Sequence, residues 1–160
     1  MTHREMRKKD QEITDKGEMM AILKEAHYVT LAMCLDDEPY LVTISHGYDA
    51  EPNVIYFHCA NEGKKIDILR KNNVVWGEAV KDRGRNGPEC DQFYSTTQFR
   101  GRVTFPQSDE EKRHALTVLL THFGSDVETY FARKDMDDGM KKVNIGRVDI
   151  EYMSGKRSTD

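Results

Sequence analysis

Residues Asn53 to Asn73 read NVIYFHCANEGKKIDILRKNN, and their order sets the frame for the rest of the chain. Val54 to Cys59 is rich in β-branched and aromatic residues, the composition of a buried strand. Ala60-Asn61-Glu62-Gly63 is a turn, and a helix then opens on Lys64 and Lys65. A helix start aims unpaired backbone N–H groups and the positive end of its dipole at whatever lies in front of it. Two lysines there add full charges, so the stretch has the chemistry of an anion seat. The competing reading is a solvated helix start with two ordinary surface lysines. A nucleotide-triphosphate P-loop is excluded, because Ile66 stands where that motif needs Ser or Thr and its earlier glycine is missing.

Outward from this stretch the pattern is a meander of short strands. Tyr28 to Leu35 and Tyr40 to Ser45 precede it, separated by Asp36-Asp37-Glu38-Pro39, with Asp49-Ala50-Glu51-Pro52-Asn53 as the next turn. Val74 to Val80 and Phe93 to Phe105 follow, divided by a polar loop, Lys81 to Gly87. Asn144 to Met153 places Val148, Ile150 and Tyr152 on one face as a last strand. A first helix is expected over Lys16 to Ala26, since Asp15 and Glu18 form a capping pattern ahead of Met19, Met20, Ile22, Leu23 and Ala26. Two later helices start at Ser108 with Glu111 and at Ser125 with Glu128, both Ser-x-x-Glu boxes, and Gly124 ends the first. Six strands with helices at the periphery predict a mainly β fold, a small antiparallel barrel.

The chain of 160 residues is expected to form one domain, 1–160, with a basic leader at 1–14 and a polar tail at 154–160. A net charge of −4 from mixed acidic and basic residues gives no field for nucleic acid. Cys34, Cys59 and Cys90 are odd in number and lack a CxxC pair, which suits a reducing cytosol and neither a disulfide framework nor zinc. His114 and His122 share a helix face but lack a third ligand, so no metal is expected. No apolar run reaches about 18 residues and the charged start has no signal-peptide core, which predicts a cytoplasmic protein without a membrane partner.

The run IYFHCANEGKKIDILR resembles the pyridoxamine 5'-phosphate oxidase-like FMN-binding split barrels, in the branch of the Nim-type (5-nitroimidazole resistance) reductases. Met6 to Ile13 is similar to their basic leader, Pro39-Tyr40-Leu41-Val42-Thr43-Ile44 to their flavin-lining strand, and Gly47-Tyr48-Asp49 to the turn after it. Tyr94-Ser95-Thr96 with Gly101 resembles their Y-x-S-V-x-x-x-G, with threonine in place of the usual serine; Cys90 to Tyr94 is shorter than the family's segment and lacks its tryptophan.

The resemblance implies a six-stranded antiparallel split β-barrel with peripheral helices. Its FMN phosphate would sit on Lys64 and Lys65, below His58 and Cys59, with Thr43, Ile44 and Ser45 along the ring and a hydroxyl from Thr96. It also implies a homodimer with flavin at the subunit interface and an FMN-dependent oxidoreductase that reduces nitroaromatic or similarly electron-poor small molecules. His58 has two readings, a proton donor beside the flavin or a structural residue at a strand end. The alternatives are a non-catalytic flavin carrier or redox sensor, and a haem-binding split barrel with His46 or His58 as axial ligand.

Overall fold

The computed structural model describes residues 5–86, 91–133, 139 and 143–158; Arg4 of the leader, Gly87 and Cys90 fall outside them. Among these residues eight strands and four α-helices are ordered β1 (Glu12–Ile13), α1 (Lys16–Glu25), β2 (Tyr28–Leu35), β3 (Glu38–Ser45), β4 (Gly47–Asp49), β5 (Val54–Cys59), α2 (Lys64–Lys71), β6 (Val74–Asn86), β7 (Asp91–Thr104), α3 (Asp109–His122), α4 (Val127–Phe131) and β8 (Asn144–Arg157). The mainly β class is as the sequence predicts. Six of the eight strands are the expected ones; the other two are the short β1 and β4.

The strands form one antiparallel sheet in the order β3-β2-β6-β7-β8-β5-β4, with β1 also on β8. The two ends of that order are joined by a single residue, His46, between β3 and β4. The sheet therefore curls until its edges are tied together, and the barrel stays split between β3 and β5. Val29, Leu31, Met33, Ile55, Phe57, Val75, Ala79, Phe99 and Val148 fill its interior together with Met19, Ile22 and Leu23 of α1 and Ile68 and Leu69 of α2. A second core lies on the outward face of β5, where Val54 and Tyr56 pack against Ala115, Leu116 and Leu119 of α3.

Local chemistry explains most boundaries. Asp36 and Asp37 both take positive φ, 50° and 63°, the two-residue hairpin turn that matches strand twist. Pro39 is tolerated inside β3 because that strand is an edge. Asp15 caps α1 by accepting from the Gly17 N–H at 2.8 Å. Ser108 caps α3 through the Glu111 N–H at 3.2 Å.

Four expectations are corrected. The polar stretch from Lys81 is strand as far as Asn86, pairing with Asp91 to Ser95 across a bulge between Asp82 and Arg85; Asp82 to Arg85 are all exposed, and a strand in water needs no apolar alternation. The stretch from Ser154 is likewise strand to Arg157, paired with Ser95 to Gln98 on one side and with β1 of the leader on the other. Gly47 to Asp49 is strand β4, paired with Val54 to Tyr56, and not a turn. Asp126, not Ser125, caps α4 through the Thr129 N–H. Ser125 is spent on closing α3, its N–H reaching the Leu120 carbonyl at 2.9 Å beyond Gly124 in the left-handed region.

Candidate functional site

The split between β3 and β5 is where α2 begins. Gly63 is its N-cap at φ 121° with no side-chain cap, and the space where a Cβ would stand is open. Only glycine adopts that backbone without strain, and the arrangement leaves the first helical N–H groups facing outward rather than into a capping side chain. Two contacts hold the preceding turn by its carbonyls: Asn144 Nδ2 donates to Ala60 O at 3.2 Å and Arg70 donates to Asn61 O at 3.2 Å. The first was not visible in the sequence, because Asn144 is 84 residues from its partner.

The two lysines straddle the split. Lys64 Nζ lies 4.7 Å from the ring centre of Tyr40 on β3, and Lys65 Nζ lies 5.1 Å from that of Phe57 on β5. Each ammonium rests on an aromatic face, a contact worth roughly 0.5–1 kcal/mol at exposed sites. An anion arriving at the helix start offers a stronger partner. Cys59 is half-buried beside them; burial pushes its thiol up, and the charge of Lys65 acts against that shift.

The other predicted residues divide between the two faces of the barrel wall. Ile44 packs against the interior core with Tyr40, Val42 and Cys59. Thr43 and Ser45 alternate to the outward face, where the Thr43 hydroxyl lies 3.1 Å from that of Thr30. His58 is exposed on the outward face of β5, opposite to Phe57 and Cys59. Thr96 is on β7, three strands from β3 in the sheet order. It lines a separate cavity that includes none of the other seven. The structure thus brings Lys64, Lys65 and Cys59 together with Tyr40 and Phe57, and sets Thr96 apart.

His46, the other candidate haem ligand, is wholly buried, with Nε2 2.9 Å from the Leu23 carbonyl, so a haem iron has no access to it in this fold. His114 and His122 do not converge: His114 Nε2 meets Asp49 Oδ2 at 2.7 Å, whereas His122 Nε2 meets the Ala26 carbonyl at 2.9 Å. Among the described residues no helix is long and apolar enough to cross a membrane.

An antiparallel barrel, split along one seam and plugged there by a helix that opens on two cations, defines the class of the split barrels. The chain belongs to the pyridoxamine 5'-phosphate oxidase family, whose profile matches residues 15–157. Among solved structures it is similar to a protein of Bacteroides thetaiotaomicron provisionally described as a 5-nitroimidazole antibiotic resistance protein. The two are 28% identical with a TM-score of 0.76, over 91% of this chain and 86% of that one. The fold is shared with a FAD and haem binding protein of Mycobacterium smegmatis (17% identity, TM-score 0.77, 94% and 74% covered). It is shared too with a flavocytochrome of Azotobacter vinelandii (14%, 0.80, 98% and 73%). None of the curated proteins compared matches the chain.

Proposed function

We propose that this protein binds FMN at the start of α2 and serves as a reductase of small electron-poor molecules, nitroimidazoles among them. The observation that carries the reading is the pair Lys64 and Lys65, poised over Tyr40 and Phe57 at an open, uncapped helix start in the barrel seam. The 28% identical Bacteroides protein supports the choice of acceptor. Bound flavin would supply the two-electron chemistry, and the chain supplies placement. Lys64, Lys65 and the first N–H groups of α2 hold the phosphate. Thr43, Ile44, Ser45 and Cys59 offer backbone and side-chain contacts from the strands on either side, and His58 is the candidate proton donor.

Thr96 enters this reading through a second copy of the chain. Its distance along the sheet from the seam suits a homodimer in which flavin seated on one subunit meets β7 of the other. Three of the large exposed apolar side chains, Tyr28, Leu41 and Val80, stand on the outward face of β2, β3 and β6, the face that also carries Thr96, and Val80 is its cross-strand partner.

The test is a titration of flavin-free protein with FMN, FAD and riboflavin. A terminal-phosphate seat predicts FMN as the tightest ligand, and changing Lys64 and Lys65 together to alanine should cost about 2 to 4 kcal/mol of FMN affinity with riboflavin affinity unchanged. Equal binding of FMN by wild type and the double variant would remove the seat.

A further inference from the structure

The cavity lined by Thr96 has chemistry of its own. It encloses about 170 Å³, below the roughly 300–1,000 Å³ of drug-sized pockets, which suits a single small ring. At one end Lys156 Nζ donates to Tyr94 Oη at 2.8 Å. The ammonium occupies a lone pair of the phenol, so the phenolic O–H remains free to donate into the cavity, polarised by the charge behind it. At the other end stands Glu78, with one carboxylate oxygen accepting from Gln98 Nε2 at 3.2 Å and the other available to a ligand N–H. Met6 of the leader lines the cavity with a soft thioether.

The spacing follows from strand register. Thr96 pairs with Lys156, and Gln98 pairs with both Glu78 and Ser154, so the cationic row and the carboxylate row lie two residues apart, about 6.6 Å along the strand. Tyr94 lies two residues further along β7, and its hydroxyl meets the Lys156 ammonium, so the pair and the Glu78 carboxylate flank a space suited to a substituted five-membered ring. The donor end recognises an oxygen acceptor such as a nitro or carbonyl group, and the acidic end recognises a ring N–H.

We propose that this cavity binds the electron acceptor as a small planar heteroaromatic, with its nitro or carbonyl oxygen on Tyr94 backed by Lys156 and its N–H on Glu78. The proposal rests on the reductase reading for the role of the bound molecule, and Thr96 supplies the connection, because an acceptor held here adjoins whatever flavin Thr96 touches.

The experiment is calorimetric titration of the purified protein with 2-methyl-5-nitroimidazole and with 1,2-dimethyl-5-nitroimidazole, which lacks the N–H. Tyr94→Phe and Lys156→Met should each weaken both ligands about tenfold, one hydrogen bond's worth. Glu78→Gln should weaken only the N–H compound, leaving the dimethyl compound as in wild type. Absence of saturable binding by wild type, or equal loss of both ligands in Glu78→Gln, overturns the proposal. Oxidation of the reduced flavoprotein by the same compounds separates the two readings. Selective binding without turnover refutes the reductase and leaves the site standing; turnover with KM unchanged in Tyr94→Phe refutes the site and leaves the reductase standing.

Discussion

His46 shows how much one residue can decide. It is the only residue between β3 and β4, its ring is fully buried, its Nε2 faces the Leu23 carbonyl, and its Nδ1 has no partner among the described atoms. His122 lies against it, the rings tilted by 51° with centres 4.6 Å apart, and meets the Ala26 carbonyl, so two imidazoles cover carbonyls at the end of α1. Burial is the main reason its pKa falls from 6.5 to about 4, against the Leu23 hydrogen bond that raises it; His122 lowers it further. The sign is therefore that of a group kept neutral by folding. Stability is complete above pH 6.5, the unfolded value, and is lost as pH falls towards 4, by about 3 kcal/mol over that window. Urea unfolding of wild type at pH 7 and pH 4 should show that loss beyond the general acid effect. His46→Gln, which retains an N–H donor and cannot titrate, should flatten it. An unchanged pH slope in the variant would assign the acid sensitivity elsewhere.

At the scale of elements, the barrel interior is shaped by rings laid across glycines. Phe57 of β5 pairs with Gly146 of β8, and Phe99 of β7 pairs with Gly77 of β6. A Cβ on Gly146 would stand 2.1 Å from the Phe57 ring, and Phe57 is the ring beneath Lys65. Gly146→Ala should cost about 1–3 kcal/mol by overpacking and weaken FMN binding as well, through displacement of that ring. Denaturant unfolding and a flavin titration on the same preparation check both effects, and a full cost in stability with unaltered FMN affinity would detach the ring from the seat. These pairs were not legible in the sequence, since residues 57 and 146 meet only through register. What was legible were the features that close within a few residues: the bounds of β2 and β5, the Asp15 and Ser108 caps, and the strand, turn and helix around Gly63. The end of β6 was hidden because its polar residues pair in a two-stranded ribbon where burial imposes no alternation, and that of β8 because its buried position is Gly155, which has no apolar side chain to mark the face. Lys64 and Lys65 stood out as charges, but the aromatic faces beneath them depended on how the barrel closes.

For the whole molecule, the outward face of the sheet carries the argument for a second copy. Cross-strand register places Leu41, Ala32, Trp76, Arg100 and Tyr152 in one row, and Thr43, Thr30, Glu78, Gln98 and Ser154 in the next. Trp76 and Tyr152 meet edge to face at 6.0 Å, and Leu41 is 64% exposed at the rim of a shallow hollow with Thr30, Ala32 and Trp76. A row that carries Leu41, Ala32, Trp76 and Tyr152 is what an isologous dimer buries, meeting its own copy across a two-fold axis. On the proposed dimer, sedimentation should give about twice the 18.5 kDa chain mass. Leu41→Glu is the sharper probe. In an isolated chain a substitution at so exposed a side chain should change stability by no more than about 0.5 kcal/mol, whereas at a symmetric interface it brings two carboxylates into the same apolar row. The variant is expected to sediment as a single folded chain, with circular dichroism unchanged and FMN affinity reduced because Thr96 no longer reaches the flavin. A wild-type protein that holds one FMN per chain while sedimenting at 18.5 kDa would show that the seam alone completes the site, and would return Thr96 to a purely structural part.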